Sequence, residues 1–358
     1  MLKSLVTGLL GIVLLVGACA PTNSTDTLPI EVLVVLDSIT GSLVMIPVDS
    51  AHIRRNIPLA TLGFVPTVMD ARGSLAVVAG RLPQAGAAVI DLATGQVLAE
   101  LALLQGKVAA VQMTESGEAF VAVSTGSAVA NIDLDTGGQL LLAVPGGPQG
   151  FAVTRGKVFS VVGNRANCEA DPVGCDRGPS WLVQTEPTLP RDSIPLSGPG
   201  NAGPAAVAAD GFVYVLSAGD EFAGGEGRLS IIDPVRNIEI AVFAGVGPVE
   251  PAWVASDGGD RILIASPAGG LLVFNTRERR FTLPFGSGIP LEFPTDMFTD
   301  ALGRAYVLQR GGCSTTNSGR IRIFGTSLIE QQPISGVACP IAGAMAEVPA
   351  ERIFETQP

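Results

Sequence analysis

The sequence is short of the side chains that most enzymes use. His52 is the one histidine, and charged residues make up only 15% of the 358 residues. No G-x-S-x-G, G-x-x-x-x-G-K-[ST] or C-x-x-C-H pattern occurs, and these patterns serve nucleophile elbows, phosphate-binding loops and haem attachment. The sequence therefore gives no indication of a serine hydrolase, a nucleotide-binding protein or a haem protein.

Basic residues are also scarce, since 22 Lys and Arg stand against 33 Asp and Glu and give a formal net charge of -11. Proteins that follow a phosphate backbone carry basic clusters, often with aromatic residues between them. Neither feature is present here. We therefore expect no nucleic-acid partner.

What the chain does contain is apolar residues and turn residues. Hydrophobic residues account for 47%, with 44 glycines and 26 prolines. This composition is typical of many short buried strands joined by tight turns, and it disfavours helices with charged outer faces. An all-β fold of this length can be a single domain.

The N-terminus has the anatomy of an export signal. Lys3 precedes an uncharged apolar run from 5 to 16, which is too short for a comfortable membrane span. The stretch Val-Gly-Ala-Cys that ends at Cys19 resembles the lipobox of bacterial lipoproteins. That resemblance implies a signal peptide over 1–18 and a lipid on Cys19; the alternative is a plain signal peptide cut near Ala20.

The resemblance also carries an expectation about location. Residues 19–29 would be the lipidated cysteine and a flexible tether, and 30–358 a single folded domain. Ala20 supplies no acidic retention signal after the cysteine. The expected location is the bacterial cell envelope, at the outer membrane facing the periplasm or at the cell surface.

Without Cys19, an even set of four cysteines remains. In an oxidising compartment such a set pairs, and the spacing favours one small loop, Cys168–Cys175, and one larger loop, Cys313–Cys339. A metal site is the rival interpretation. It is disfavoured because no histidine lies nearby and the spacings are not those of zinc ligands.

Internal repeats are the strongest feature of the sequence. AAVIDLATGQVLAEL (87–101) and AVANIDLDTGGQLLLAV (128–144) share a β-rich run, an Asp, a Thr-Gly turn and a second β-rich run. A second unit, seen in VPTVMDARGSLAVVAG (65–80) and GPAAVAADGFVYVLSAG (203–219), precedes such hairpins and carries an Asp near a Gly. Asp and Gly in this arrangement are typical of turns, so we interpret these carboxylates as turn residues.

Together the two units make four strands in about 40 to 50 residues, which is the period of one propeller blade. Six blades complete in themselves begin near residues 65, 108, 149, 202, 250 and 293. A seventh joins IAGAMAEV (341–348), as the innermost strand, to three strands within 31–61. The predicted fold is an all-β, seven-bladed β-propeller of four-stranded blades, closed by pairing of N- and C-terminal strands; residues 352–355 form a further strand candidate without a place in it.

The Asp-Gly turns, the YVL and VAVS strands and the IDLATGQVL hairpin resemble the YVTN and NHL type of bacterial β-propeller over nearly all of 30–350. This resemblance concerns architecture rather than activity. It implies that loops between second and third strands and links between blades open on one face. The insertions 164–181, 219–227 and 310–319 all fall on this face, which we call the elaborated face, and insertions on one side of a repeat ring usually mark the binding side.

The blade links and strand starts place polar residues around the expected channel mouth on this face. Trp181 follows the first insertion, where it either contacts a ligand or packs against the blade. The candidate ligand-binding residues are Gln149, Trp181, Asn201, Glu250, Glu292 and Asp296. Three of them, Glu250, Glu292 and Asp296, could hold calcium if they converge, because calcium takes oxygen ligands. Solvated loop charges are the other interpretation. His52 falls on the opposite face, as a turn residue.

Two functions follow from this sequence. The first is a lipid-anchored binding or scaffolding module that uses its elaborated face, needs no cofactor and has an envelope protein or a small ligand as its partner. The alternative is a calcium-dependent hydrolase or lyase, resembling lactonase-like propellers, with its carboxylates at the channel mouth. No catalytic residue is assigned.

Overall fold

The structure is a computed structural model that describes residues 28–164, 179–185, 192–218, 226–248, 252–314 and 316–354. Within these ranges the chain forms only antiparallel strands and one short helix. None of the described helical residues forms an apolar segment long enough to span a membrane.

The strands assemble into seven four-stranded sheets, which we number as blades 1 to 7. Blades 1 to 3 contain β4 (Phe64–Arg72), β5 (Leu75–Pro83), β6 (Gly86–Asp91) and β7 (Val97–Ala102); β8 (Val108–Met113), β9 (Glu118–Val123), β10 (Ala128–Asp133) and β11 (Gln139–Ala143); β12 (Pro148–Thr154), β13 (Lys157–Val162), β14 (Trp181–Gln184) and β15 (Ser193–Pro195). Blades 4 to 6 contain β16 (Ala202–Val207), β17 (Val213–Ser217), β18 (Arg228–Asp233) and β19 (Ile238–Phe243); β20 (Trp253–Ser256), β21 (Arg261–Ser266), β22 (Gly270–Asn275) and β23 (Arg280–Leu283); β24 (Pro294–Thr299), β25 (Ala305–Gln309), β26 (Gly319–Phe324) and β27 (Ile334–Val337). Blade 7 contains β28 (Pro340–Pro349), β1 (Pro29–Asp37), β2 (Ser42–Pro47) and β3 (Arg55–Pro58). The predicted seven-bladed propeller is confirmed.

Blade 7 closes the ring as the sequence predicts. β28 pairs antiparallel with β1 along its whole length, from Pro29 opposite Pro349 to Asp37 opposite Pro340. This pairing joins the two ends of the described chain in one sheet and removes a free edge that an open ring would expose.

Burial follows the position of a strand within its blade. The middle strands are covered on both sides by neighbouring blades, so β2 and β17 are buried along their whole length. Outer strands lie where the blades spread apart, and most residues of β7 are exposed. The high apolar fraction and the lack of strict alternation in the middle strands result from this two-sided burial.

The repeated Asp residues of the hairpins are turn residues. The Oδ1 atom of Asp91 accepts a hydrogen bond from the Ala93 amide at 2.8 Å, and that of Asp133 accepts from Thr136 at 2.9 Å. Asp233 and Asn275 bond their own turns in the same way. These side chains stabilise the connection between the third and fourth strands of a blade.

The structure corrects the expectation of a further strand for residues 352–354, and residue 355 lies outside the described residues. Residues Ala350–Phe354 form a short helix, α1, instead of a further strand. Its Ile353 side chain is buried, and the Arg352 carbonyl accepts a hydrogen bond from the Arg55 guanidinium at 3.0 Å. The helix therefore covers the end of the closing blade after β28 has completed its pairing.

The elaborated face carries the disulfide Cys313–Cys339, which joins the 310–318 loop of blade 6 to the link before β28. Cys168 and Cys175 lie outside the described residues. The opposite face also carries two connections that are longer than tight turns, 48–54 and 325–333. His52 lies in the first of these and is exposed.

Candidate functional site

The central channel of the ring widens into a cavity of about 660 Å³. All seven innermost strands contribute to its wall, together with link residues such as Lys107 and Asn201. These links precede the inner strands, so the cavity lies at the elaborated-face end of the channel. We call it the central cavity.

Small residues on the inner strands leave room for this cavity. β8 and β16 present alanines to it, and β12 and β16 present Gly150 and Gly203. A Cβ atom on Gly150 would lie only 2.2 Å from the Gly203 carbonyl oxygen. The backbones of blades 3 and 4 can approach this closely only because residue 150 is glycine.

Two carboxyl groups lie deep in the central cavity, one on each side of blade 7. Asp70 belongs to β4, and its Oδ2 atom accepts hydrogen bonds from the Met113 amide at 2.7 Å and the Gln112 side-chain amide at 3.1 Å. Asp296 belongs to β24 and accepts from the Gly343 amide at 2.8 Å. Each carboxyl therefore bonds the exposed edge of the next inner strand and holds two blades together.

Burial changes the acidity of both groups. It raises the pKa of Asp70 to about 6, in spite of the backbone hydrogen bonds, which lower it. It raises the pKa of Asp296 to about 7, and the negative charge of Asp70 contributes to that rise. Both side chains are half-buried, with part of their surface open to the channel. At neutral pH Asp70 is then mostly ionised and Asp296 only partly ionised, so the two groups do not carry two full negative charges.

Further polar contacts cross between inner strands. The Thr295 hydroxyl donates to the Pro340 carbonyl at 2.8 Å, and the Thr299 hydroxyl donates to the Ser256 carbonyl at 2.7 Å. Such bonds satisfy the edge groups that an innermost strand leaves facing the channel. They tie blade 6 to its neighbours on both sides.

The structure brings some of the predicted site residues together and separates others. Gln149, Asn201 and Asp296 line the central cavity. Glu292 lies outside it, exposed, with its carboxylate 3.0 Å from the Arg320 guanidinium. Trp181 begins β14 and packs against the apolar cluster between blades 2 and 3. Glu250 lies outside the described residues.

The described residues contain no group of three or more His, Cys, Asp or Glu side chains arranged to hold a metal ion. Within that part of the chain, Asp296 is in the cavity and Glu292 is in an ion pair at the rim. The calcium-site hypothesis therefore has no geometric support among the residues that are described.

Asp70 lines the central cavity, whereas its sequence context predicts a turn residue. The turn after β4 is only two residues long, Gly73 and Ser74, and Gly73 adopts a φ of 53°. Asp70 consequently stays inside the strand, opposite Val77. The short Arg-Gly-Ser connection was the available indication.

Solved structures with the same fold include several enzymes. A streptogramin B lyase superposes with a TM-score of 0.59 at 10% identity, covering 79% of this chain and 88% of that chain. A catalytically inactive virginiamycin B lyase from Staphylococcus aureus, solved with quinupristin, gives 0.56 at 13% identity, covering 79% and 86%. The hydrazine synthase of Kuenenia stuttgartiensis gives 0.56 at 16% identity, covering 75% and 78%.

No protein-family model matches the sequence, and a search of curated proteins finds no similar sequence. At identities of 10% to 16% the structural likenesses establish the propeller fold alone. The activities named for those proteins depend on their own side chains.

Proposed function

We propose that this protein is an exported, lipid-anchored propeller that binds a ligand or an envelope protein through its elaborated face. The central cavity is the observation that carries the binding role. Its volume of about 660 Å³ falls within the range of cavities that hold small molecules, about 300 to 1,000 Å³. Its wall exposes polar and apolar surface in nearly equal shares, so a ligand would meet both apolar contacts and hydrogen-bonding groups.

Two features support export and anchoring. Cys19 ends a stretch that resembles a lipobox, and this stretch comes directly after an apolar segment of the kind found in signal peptides. The disulfide Cys313–Cys339 suits an oxidising compartment, where cysteines of exported proteins pair. The mature chain would then reach its first strand, which begins at Pro29, through a tether of about ten residues.

The anchor is tested by replacing the acceptor cysteine. In a bacterium with two membranes, the wild-type chain should incorporate labelled palmitate and partition into the detergent phase. Cys19→Ala should lose both properties, because no other residue can take the lipid. Cys168→Ala is the matched control and should keep the label. Retention of the label in Cys19→Ala would contradict the anchor.

The binding role is tested by filling the central cavity. A Cβ atom on Gly203 would touch only the Gln149 Cβ, at 3.7 Å, so the position accepts a Cβ without a backbone clash, and we expect the ring of Gly203→Phe to occupy the cavity. Native mass spectrometry of wild-type protein purified from envelopes should show a bound molecule that Gly203→Phe lacks. Gly259→Phe, in an exposed turn on the opposite face, is the matched control and should keep it.

A bound molecule that persists in Gly203→Phe would show that the central cavity is not its binding site.

The calcium-dependent alternative is tested in the same preparations by measuring Tm with calcium and with a chelator. A site with a Kd a hundredfold below the calcium concentration would stabilise the protein by about 2.7 kcal/mol, which raises Tm by several degrees. We expect calcium to leave Tm within about 1 °C of its value in a chelator.

A further inference from the structure

A second concave surface lies on the elaborated face at blade 6, separate from the central cavity. It has a volume of about 640 Å³ and lies between the link that precedes β24 and the 310–318 loop. Its chemistry comes from five side chains, and we call it the Phe293 groove. They are Glu292, Phe293, Gln309, Arg310 and Arg320.

Phe293 is the apolar element of this groove. Its side chain is 65% exposed, and its backbone adopts a φ of 46°, in the left-handed region that bulky residues rarely enter. The Arg310 guanidinium lies 5.8 Å from the ring centroid, over the ring. An exposed ring held in this conformation beside an arginine is the kind of anchor that recurs at binding surfaces.

Gln309 supplies a hydrogen-bond donor without a protein acceptor. The residue is 2% exposed, and its Oε1 atom accepts a hydrogen bond from the Arg320 Nε atom at 2.8 Å. That bond fixes the orientation of the amide, because Oε1 must face the arginine. The Nε2 atom has no hydrogen-bond partner in the described part of the chain. A buried unpaired amide costs about 1 to 3 kcal/mol, which an incoming acceptor would recover.

The groove is locally positive in an acidic protein. Arg320 is paired with Glu292 at 3.0 Å, whereas Arg310 has no ion-pair partner within the described ranges. Two arginines against one glutamate leave one positive charge in a chain of net charge -11. The charge of Arg310 stands beside the Phe293 ring, and Gln309 lines the same groove.

We propose that the Phe293 groove binds a carboxylate that is attached to an apolar group. The carboxylate would pair with Arg310 and accept a hydrogen bond from the Gln309 Nε2 atom, while the apolar group would pack on the Phe293 ring. Such a carboxylate occurs at the C-terminus of a peptide that ends in an apolar residue and in small aromatic acids. The Phe293 groove lies on the same face as the central cavity, but none of its lining residues lines that cavity.

The test uses the full chain in detergent and two pairs of probes. Hippurate is compared with hippuramide, and acetyl-Ala-Ala-Phe with its C-terminal amide, each titrated to about 10 mM by NMR. The free acids should bind, and the amides should bind at least tenfold more weakly because they lack the charge. Binding of the peptide acid alone would identify a polypeptide terminus as the source, and binding of hippurate alone a small acid.

Two variants locate the site. Arg310→Ala should weaken binding at least tenfold. Gln309→Glu keeps the acceptor for Arg320, so the fold should be retained, but it replaces the donor by an anion and should also weaken binding at least tenfold. Arg228→Ala, on the same face at blade 4, should bind as the wild type does.

The proposal is wrong if neither acid binds, if acids and amides bind equally, or if both variants bind like the wild type. Gly203→Phe separates this inference from the proposed function. That variant should lose the molecule in the central cavity and still bind the acid probes at wild-type strength, and loss of acid binding there would place the acids in the central cavity instead.

Discussion

Replacement of Asp300 by alanine is expected to lower the free energy of unfolding by about 3 to 5 kcal/mol. The Asp300 side chain is fully buried in the first turn of blade 6, 2.5 Å from the Arg304 guanidinium. It also accepts hydrogen bonds from the Tyr306 hydroxyl at 3.0 Å and from the Leu302 and Arg304 amides. Alanine would leave a mostly buried cation and a buried hydroxyl without their acceptor.

Urea unfolding at constant pH measures this loss of stability. Two further variants separate the contributions of the individual contacts. Tyr306→Phe removes only the hydrogen bond from the tyrosine hydroxyl to the carboxylate and should cost about 1.5 to 3 kcal/mol. Asp133→Ala is the control, since Asp133 also accepts backbone hydrogen bonds within a turn of a blade but is exposed and pairs with no arginine among the described residues. Its loss should be far smaller. Equal losses for the Asp133 and Asp300 variants would show that the ion pair contributes nothing beyond the turn.

The repeats explain why the fold could be predicted. A Thr-Gly turn between two β-rich runs, as at 94–95 and 136–137, marks a hairpin in any context, because the turn conformation depends on the residues within it. Repetition of that hairpin at blade spacing implied a ring, and the incomplete units at 31–61 and 341–348 implied its closure. Local chemistry repeated around the ring was therefore sufficient for the architecture.

The candidate sites depended on contacts that a repeat does not encode. Asp70 meets the Met113 amide because of a two-residue turn and a bulge in β4, and a shift of one residue would turn it away. The Phe293 groove depends on a positive φ and on an amide oriented by a neighbouring strand. The α1 helix that follows β28 buries Ile353 against the closing blade, a contact that the sequence does not indicate. Each of these requires knowledge of which blade edges meet.

The contribution of Asp70 and Asp296 to the stability of the protein is expected to fall as pH rises from about 4 to about 7. Asp70 and Asp296 have raised pKa values of about 6 and about 7 in the folded protein, against 3.8 as the ordinary value. Between these limits the folded state keeps protons that the unfolded state has released. The contribution of these two groups to stability must then decrease with rising pH, because their folded forms bind more protons than their unfolded forms do.

At about 1.4 kcal/mol for each pKa unit, the loss is about 3 kcal/mol for Asp70 and about 4 kcal/mol for Asp296 as upper limits, since channel water reaches both groups. Urea unfolding between pH 4 and 8 measures the slope. Asp70→Asn and Asp296→Asn each add a cost that does not depend on pH, because an amide nitrogen then faces a backbone N–H. Each should nevertheless reduce the slope, and Gln149→Ala, an uncharged change in the same cavity, should leave it unchanged.

Carboxyl ¹³C NMR gives the decisive result for the coupling between the two groups. Burial is the larger cause of the raised pKa of Asp296, and the charge of Asp70 adds to it. Asp70→Asn removes that charge, so the apparent pKa of Asp296 should fall from about 7 but remain above the ordinary value of 3.8. An unchanged pKa would mean that the two carboxyls titrate independently. A fall to the ordinary value would mean that the charge of Asp70, and not burial in the channel, holds the proton on Asp296.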